Sequence, residues 1–131
     1  LPGYGATMSD MNSYIGCCKM KDVVMLLNKQ QVNEEEWDEN IKRLYPKFYR
    51  LNQKEIIRPN YWVYGFLCDY KIKVILDFRQ RGYYASGVHL NNNCYSVFGD
   101  TMEQPGVNDF MKKFVAIPCG WWFDKSKNHA I

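Results

Sequence analysis

The first part of the chain carries the hydrophobic spacing of helices. Ser9 is placed to cap a helical segment whose apolar residues are Met11, Tyr14, Ile15 and Cys18. The apolar run VVMLLNKQQ, which follows Asp22, has no decisive period and is interpreted as a second helix. These two segments predict that the protein begins with helices.

The clearest predicted helix runs from Asn33 to Tyr45. Asn33 can cap it and Glu36 stands three residues later, as in a capping box. Its apolar stripe has the spacing of one buried helical face and consists of Trp37, Ile41, Leu44 and Phe48. Pro46 disfavours helical geometry at Tyr45, so the helix is expected to end or kink there.

After Asn60 the apolar residues alternate as they do in β-strands. The segment from Lys71 to Phe78 places its apolar residues Ile72, Val74, Leu76 and Phe78 on one face, which predicts a strand buried on one side. The segment from Tyr61 to Cys68 is apolar on both faces, which predicts a central strand. The two segments are expected to pair as a hairpin.

Four further short segments have the composition of strands: 83–90, 94–98, 114–117 and 121–123. A helical turn is expected at 107–113. The predicted fold class is α+β, with N-terminal helices packed on a C-terminal antiparallel sheet of about five strands. Residues 9–124 are expected to form a single domain, with residues 1–8 as a flexible lead-in and residues 125–131 as a mobile tail.

Composition and charge exclude several classes of protein. The 131 residues are 47% hydrophobic and carry a net charge of +3, with basic and acidic residues interspersed rather than gathered in a basic arm. Five cysteines without a C-x-x-C pair indicate neither a zinc site nor a disulfide framework, so an intracellular, cytoplasmic location is expected. No membrane span, metal or cofactor is predicted.

The stretch GVHLNNNCYSVFGD, from Gly87 to Asp100, offers a candidate for Cys/His chemistry. Asparagine adopts the positive φ angles of tight turns, so the stretch is interpreted as a β-hairpin. Cys94 is then expected to be a small buried hydrophobe and His89 an ordinary strand residue. The carboxylates at 34–36 and 38–39 are expected to form a solvated helix face. A Cys/His enzyme remains the second alternative function.

Aromatic residues supply the leading functional hypothesis. Trp121 and Trp122 would point to opposite faces of a strand, so one indole is expected near the surface. The predicted binding residues are Trp121, Trp122, Tyr83, Tyr84, Arg79 and Arg81. The sequence predicts a small non-catalytic binding protein that acts on a protein partner, of the toxin-neutralising immunity or host-factor-blocking type. Single-stranded RNA binding through the same rings is the first alternative.

Overall fold

The computed structural model describes residues 8–51, 59–91, 94–99 and 102–124. These residues form four α-helices, three β-strands and one short 3₁₀ turn. In chain order the elements are α1 (Asp10–Met20), α2 (Val23–Leu44), β1 (Phe48–Arg50), β2 (Val63–Cys68), α3 (Lys71–Gln80), the 3₁₀ turn (Ser96–Phe98), α4 (Pro105–Lys113) and β3 (Phe114–Pro118). The predicted lead-in and tail lie outside the described residues, except Met8.

The sheet is antiparallel with the order β1, β2, β3. As predicted, β2 is the central strand, and its register places Tyr64 opposite Ile117 and Leu67 opposite Tyr49. The α+β class is therefore confirmed, but the described residues contain a sheet of three strands rather than about five. Alternate residues of β2, from Tyr64 to Cys68, are buried in the core, as the two-residue period requires.

The first predicted helix is confirmed, while the next two are parts of one. Ser9 caps α1 by accepting a hydrogen bond of 3.3 Å from the backbone N–H of Asn12. Helix α2 begins at Val23 and continues through Asn33, which is buried inside the helix rather than capping it. The amide of Asn33 donates to the carbonyl oxygens of Cys119 and Gly120, at 3.4 and 3.2 Å. This amide therefore fixes the chain that follows β3.

The strand predicted from Lys71 to Phe78 is wrong, because this segment forms helix α3. Its apolar residues fit both periods: Val74, Ile75 and Phe78 are buried at helical spacing, whereas Leu76 is exposed. The predicted hairpin between this segment and β2 is consequently absent. The true neighbours of β2 are β1 and β3.

The core is built around aromatic rings from α2 and α3. Trp37 makes edge-to-face contacts with Phe78 and Tyr83, with centroid distances of 5.8 and 5.2 Å. The indole N–H of Trp37 donates to the carbonyl oxygen of Pro118 at 2.9 Å, which satisfies its polar atom. Helix α2 is thus packed on α3 by ring contacts and held to the end of β3 by a hydrogen bond.

A buried charge cluster joins α2 to β1. Glu34 and Asp38, one helical turn apart, are almost completely buried, and Arg50 forms ion pairs with both carboxylates. Tyr64 donates its hydroxyl to Asp38 at 2.9 Å. The prediction of a solvated acidic face is wrong at these two positions, because i,i+4 carboxylates share the side of α2 that faces Arg50.

The hairpin predicted over Gly87 to Asp100 is not formed by the described residues. Ser86 makes an isolated antiparallel bridge with Ala116, and Ser96–Phe98 is a 3₁₀ turn instead of a strand. Cys94 is exposed, against the prediction of a buried residue. Residues 92, 93 and 100 lie outside the described residues. The strand predicted at 121–123 is also absent, since Trp121 and Trp122 form a turn after Gly120.

All five cysteines are free thiols. Cys119 is buried, where burial raises the pKa of its thiol to about 12, and its sulfur lies 3.7 Å from the carbonyl oxygen of Gln30. In the part of the chain that is described, no helix is both long and apolar enough to cross a membrane.

Candidate binding site

A cavity of about 400 Å³ opens beside the C-terminal end of β3, and we call it the Trp62 pocket. Three exposed aromatic rings, a histidine and a serine face it. Its full lining is Trp62, Val63, Tyr84, Ser86, Val88, His89, Ala116, Ile117, Pro118 and Trp122. The pocket thus combines apolar surface with a few hydrogen-bonding side chains, which is the usual composition of a small-molecule site.

One side of the Trp62 pocket is formed by a strained turn. Val88 has a φ of +62°, which is a rare conformation for a β-branched residue. The N–H of His89 donates to the carbonyl oxygen of Gly87 at 2.9 Å, closing a γ-turn centred on Val88. The N–H of Val88 donates to the Ser86 hydroxyl oxygen at 3.1 Å. Strain of this kind is concentrated at functional sites, and here it positions His89 at the cavity.

Replacing Val88 tests whether the turn stores strain. We expect Val88→Gly to be more stable than Val88→Ala by about 0.5–1 kcal/mol, because glycine adopts positive φ freely and alanine does not. Both variants lose the isopropyl group, so alanine is the matched control for side-chain removal. Urea denaturation of the two proteins measures the difference. An alanine variant as stable as the glycine variant would contradict a strained Val88.

Three of the predicted binding residues come together at this site. Tyr84 and Trp122 both line the Trp62 pocket, and the guanidinium of Arg79 lies 5.8 Å from the centre of the Tyr84 ring. The Nε of Arg79 also donates to the carbonyl oxygen of Ala85 at 2.9 Å. Arg79 therefore fixes the start of the segment that carries Ser86 and His89.

Two other predicted residues do not reach the pocket. Tyr83 is buried in the core against Trp37 and Phe123, so it offers no surface contact in this structure. Arg81 forms an i,i+4 ion pair with Asp77, which in turn accepts a hydrogen bond from the Tyr45 hydroxyl. These contacts join α3 to the end of α2.

Trp121 and Trp122 are both exposed and meet edge to face, with ring centroids 5.8 Å apart. They also line a larger groove of about 1040 Å³ that runs along α2, which we call the α2 groove. The rest of its lining is Lys21, Val24, Met25, Asn28, Lys29, Val32, Asn33, Phe123 and Asp124. The Trp122 ring lies over Gly120. A Cβ atom on a residue at position 120 would lie 2.3 Å from this ring. Gly120 is therefore required for this position of Trp122.

Sequence reasoning missed Trp62, Ser86 and Val88 as site residues and treated His89 as an ordinary strand residue. The exposed Trp62 stands just before β2, in a segment whose residues are apolar on both faces, so its sequence pattern did not indicate exposure. The positive φ of Val88 has no sequence signal, since valine disfavours it. Among the described residues, no group of three or more His, Cys, Asp or Glu side chains could hold a metal ion.

By sequence, the chain matches no protein-family model and no curated protein. Its fold, however, resembles solved aminotransferases. The sugar aminotransferase CalS13 from Micromonospora echinospora superposes with a TM-score of 0.80 and 21% identity, over 95% of this chain and 34% of that chain. AtS13 from Actinomadura melliaura gives 0.80 and 22%, over 95% and 33%.

A third solved structure is similar, namely PseC from Helicobacter pylori, an aminotransferase involved in the biosynthesis of pseudoaminic acid. It superposes with a TM-score of 0.71 and 21% identity, over 95% of this chain and 35% of that chain. The chain therefore spans about a third of the length of these neighbours.

The comparison corrects the functional interpretation made from the sequence. A small non-catalytic binding protein was expected, with RNA binding and Cys/His catalysis as alternatives. The neighbours that share the fold of nearly the whole chain include a sugar aminotransferase and a second aminotransferase, each nearly three times as long as this chain. The prediction of a small non-catalytic binding protein is therefore wrong.

Proposed function

We propose that this chain forms the smaller domain of an enzyme that transfers an amino group to a sugar. The proposal is carried by the match to a sugar aminotransferase at a TM-score of 0.80 over 95% of the chain. Because the match covers only a third of that enzyme, the remaining catalytic groups belong to a longer part of the same protein.

In this proposal the cofactor is held outside the Trp62 pocket. Aminotransferases use pyridoxal phosphate, which is held through a lysine and an acidic partner of its ring nitrogen. The Trp62 pocket has no Lys, Asp or Glu in its lining, and the Lys71 ammonium donates to the carbonyl oxygen of Met111. The lining of the Trp62 pocket therefore does not fit the cofactor, and in this proposal that pocket contacts the substrate alone.

The Trp62 pocket is the candidate for those contacts. A sugar ring has apolar C–H faces that pack on exposed rings such as Trp62 and Trp122, and hydroxyl groups that require hydrogen-bonding partners. The imidazole of His89 and the hydroxyl of Ser86 supply such partners at the edge of the pocket. The acceptor sugar must carry a carbonyl group, since the amino group replaces a carbonyl oxygen.

The test uses the full natural polypeptide that carries this chain, supplied with pyridoxal phosphate. L-glutamate serves as amino donor, and a panel of keto-hexoses, free and nucleotide-linked, serves as acceptors. We expect amino transfer to at least one acceptor. We also expect Trp62→Leu and His89→Ala to raise the KM for that acceptor about 10-fold or more, as loss of a buried hydrogen-bonding or ring contact does.

Tyr49→Leu is the matched control, since Tyr49 is an exposed ring on β1 outside the Trp62 pocket. It should leave the KM for the sugar unchanged. Absence of amino transfer to every acceptor would reject the proposed function. Equal effects of the Tyr49 and Trp62 substitutions would reject the pocket as the sugar contact.

A further inference from the structure

Helix α1 has no buried residue. The apolar residues Met11, Tyr14, Ile15 and Cys18 follow the i, i+3, i+4, i+7 spacing of a single helical face, and we call them the α1 stripe. All four are exposed; Met11 and Tyr14 are 74% and 72% accessible. The one half-buried residue of α1, Ser13, lies on the opposite side of the helix. The stripe therefore faces away from the rest of the chain.

A helix of this length does not hold without packing. Isolated helices shorter than about 12–15 residues are marginal in water, and α1 has 11 residues. Gly16 in its interior lowers helical stability further. The Ser9 cap helps only the first turn. The stable form of α1 consequently requires a surface that covers the stripe.

Helix α2 also exposes apolar side chains near its start. Val24 and Met25 are exposed on its first turn, burial begins only at Gln30, and Val32 beyond it is again exposed. These side chains line the α2 groove, which extends to Trp121 and Trp122. Exposed apolar side chains gathered on one helix in this way mark an interaction site on a folded protein.

We infer that the α1 stripe and the first turns of α2 form the surface on which the larger part of the aminotransferase polypeptide packs. This inference rests on the proposed function. Its support is the share of the neighbours that the chain covers, 33–35%, which leaves about two thirds of each neighbour outside the match. In this inference that remainder of the polypeptide covers the surface.

The charges beside the surface are of both signs. Lys19, Lys21 and Lys29 are exposed next to the apolar residues, and so are Asp10 on α1 and Asp124 at the α2 groove. The matching rim of the larger part should therefore also carry charges of both signs. A second copy is distinguished by the concentration dependence that its binding would give to the protection of α1. The occupant differs from the separate protein partner expected from the sequence, because it belongs to the same polypeptide.

The test compares hydrogen exchange in the isolated 131-residue chain and in the full natural polypeptide that carries it. We expect the α1 amides to be protected at least about 100-fold more in the long protein, because packing raises the free energy of local opening. The amides of β2 report whether the isolated chain is folded. If the β2 amides also exchange freely, the isolated chain is unfolded, and the inference is then tested by the variants of the long protein.

In the long protein, Ile15→Asp should abolish the protection of α1, and Asn12→Asp should preserve it. Both substitutions add one negative charge to α1, but Asn12 lies outside the stripe. Unchanged protection in Ile15→Asp, or no protection of α1 in either protein, would overturn the inference. Protection that depends on the concentration of the isolated chain would show a second copy and would also overturn it. Protection without amino transfer would leave the docking surface standing and reject the proposed function alone.

Discussion

Replacing Phe78 by alanine is expected to lower the free energy of unfolding by about 3–5 kcal/mol, the range measured for fully buried aromatic side chains. The Phe78 ring is completely inaccessible and contacts the rings of Trp37, Tyr45 and Tyr83. Its removal leaves a cavity where α2, α3 and the segment after α3 meet. Urea denaturation of the purified variant measures the loss.

Leu76→Ala is the control, since Leu76 is on the same element and 52% accessible. Its removal should change the free energy of unfolding by less than about 0.5 kcal/mol. The pair also distinguishes a helix from a strand, because residues 76 and 78 share a face only in a strand. Comparable losses in the two variants would contradict helix α3.

Arg50→Met is expected to cost about 2–3 kcal/mol of stability. The substitution leaves the carboxylates of Glu34 and Asp38 buried without their guanidinium, and breaking buried ion pairs costs about 3–5 kcal/mol. The lower figure is appropriate because the Arg50 side chain is itself partly accessible to water. Arg43→Met on α2 is the control, since Arg43 is exposed and its hydrogen-bond partner Asn40 lies one turn away on the same helix. Equal stabilities of the two variants would contradict a stabilising cluster.

The cost of Arg50→Met should depend on pH. Burial opposes ionisation of Asp38, but the hydrogen bonds from Lys42 and Tyr64 and the charge of Arg50 outweigh it and hold the pKa of Asp38 below its ordinary value of 3.8. A depressed pKa contributes stability that is complete above the ordinary value and is lost as the pH falls through the folded value. The difference between wild type and variant should therefore be full near neutral pH and shrink in acid.

The sequence predicted the α+β class, the central strand β2, the strand β3 and the helical turn that became α4. The hydrophobic residues of each of these elements follow a single clear period, either that of a strand or that of a helix. The segment KIKVILDF instead satisfies both the two-residue and the helical period, so its own pattern could not separate a strand from α3. Asn33 has the chemistry of a cap, yet its amide binds carbonyl groups 86 and 87 residues away, which no local signal reveals.

The candidate site was predictable in part. The abundance of aromatic residues suggested Tyr84 and Trp122 as binding residues, and both line the Trp62 pocket in the structure. Trp62, Ser86 and His89 join them through the bridge between Ser86 and Ala116 and the positive φ of Val88. Both features depend on contacts between distant parts of the chain. The position of these residues therefore required the structure.

Trp122 is a wall common to the Trp62 pocket and the α2 groove. Its ring lies over Gly120, whose carbonyl oxygen is bound by Asn33 of α2, so the base of this wall is fixed while the ring itself is exposed. A displacement of this single indole therefore changes the shape of both cavities at once. Whatever occupies the groove along α2 accordingly helps to set the shape available to a ligand on the far side of the ring.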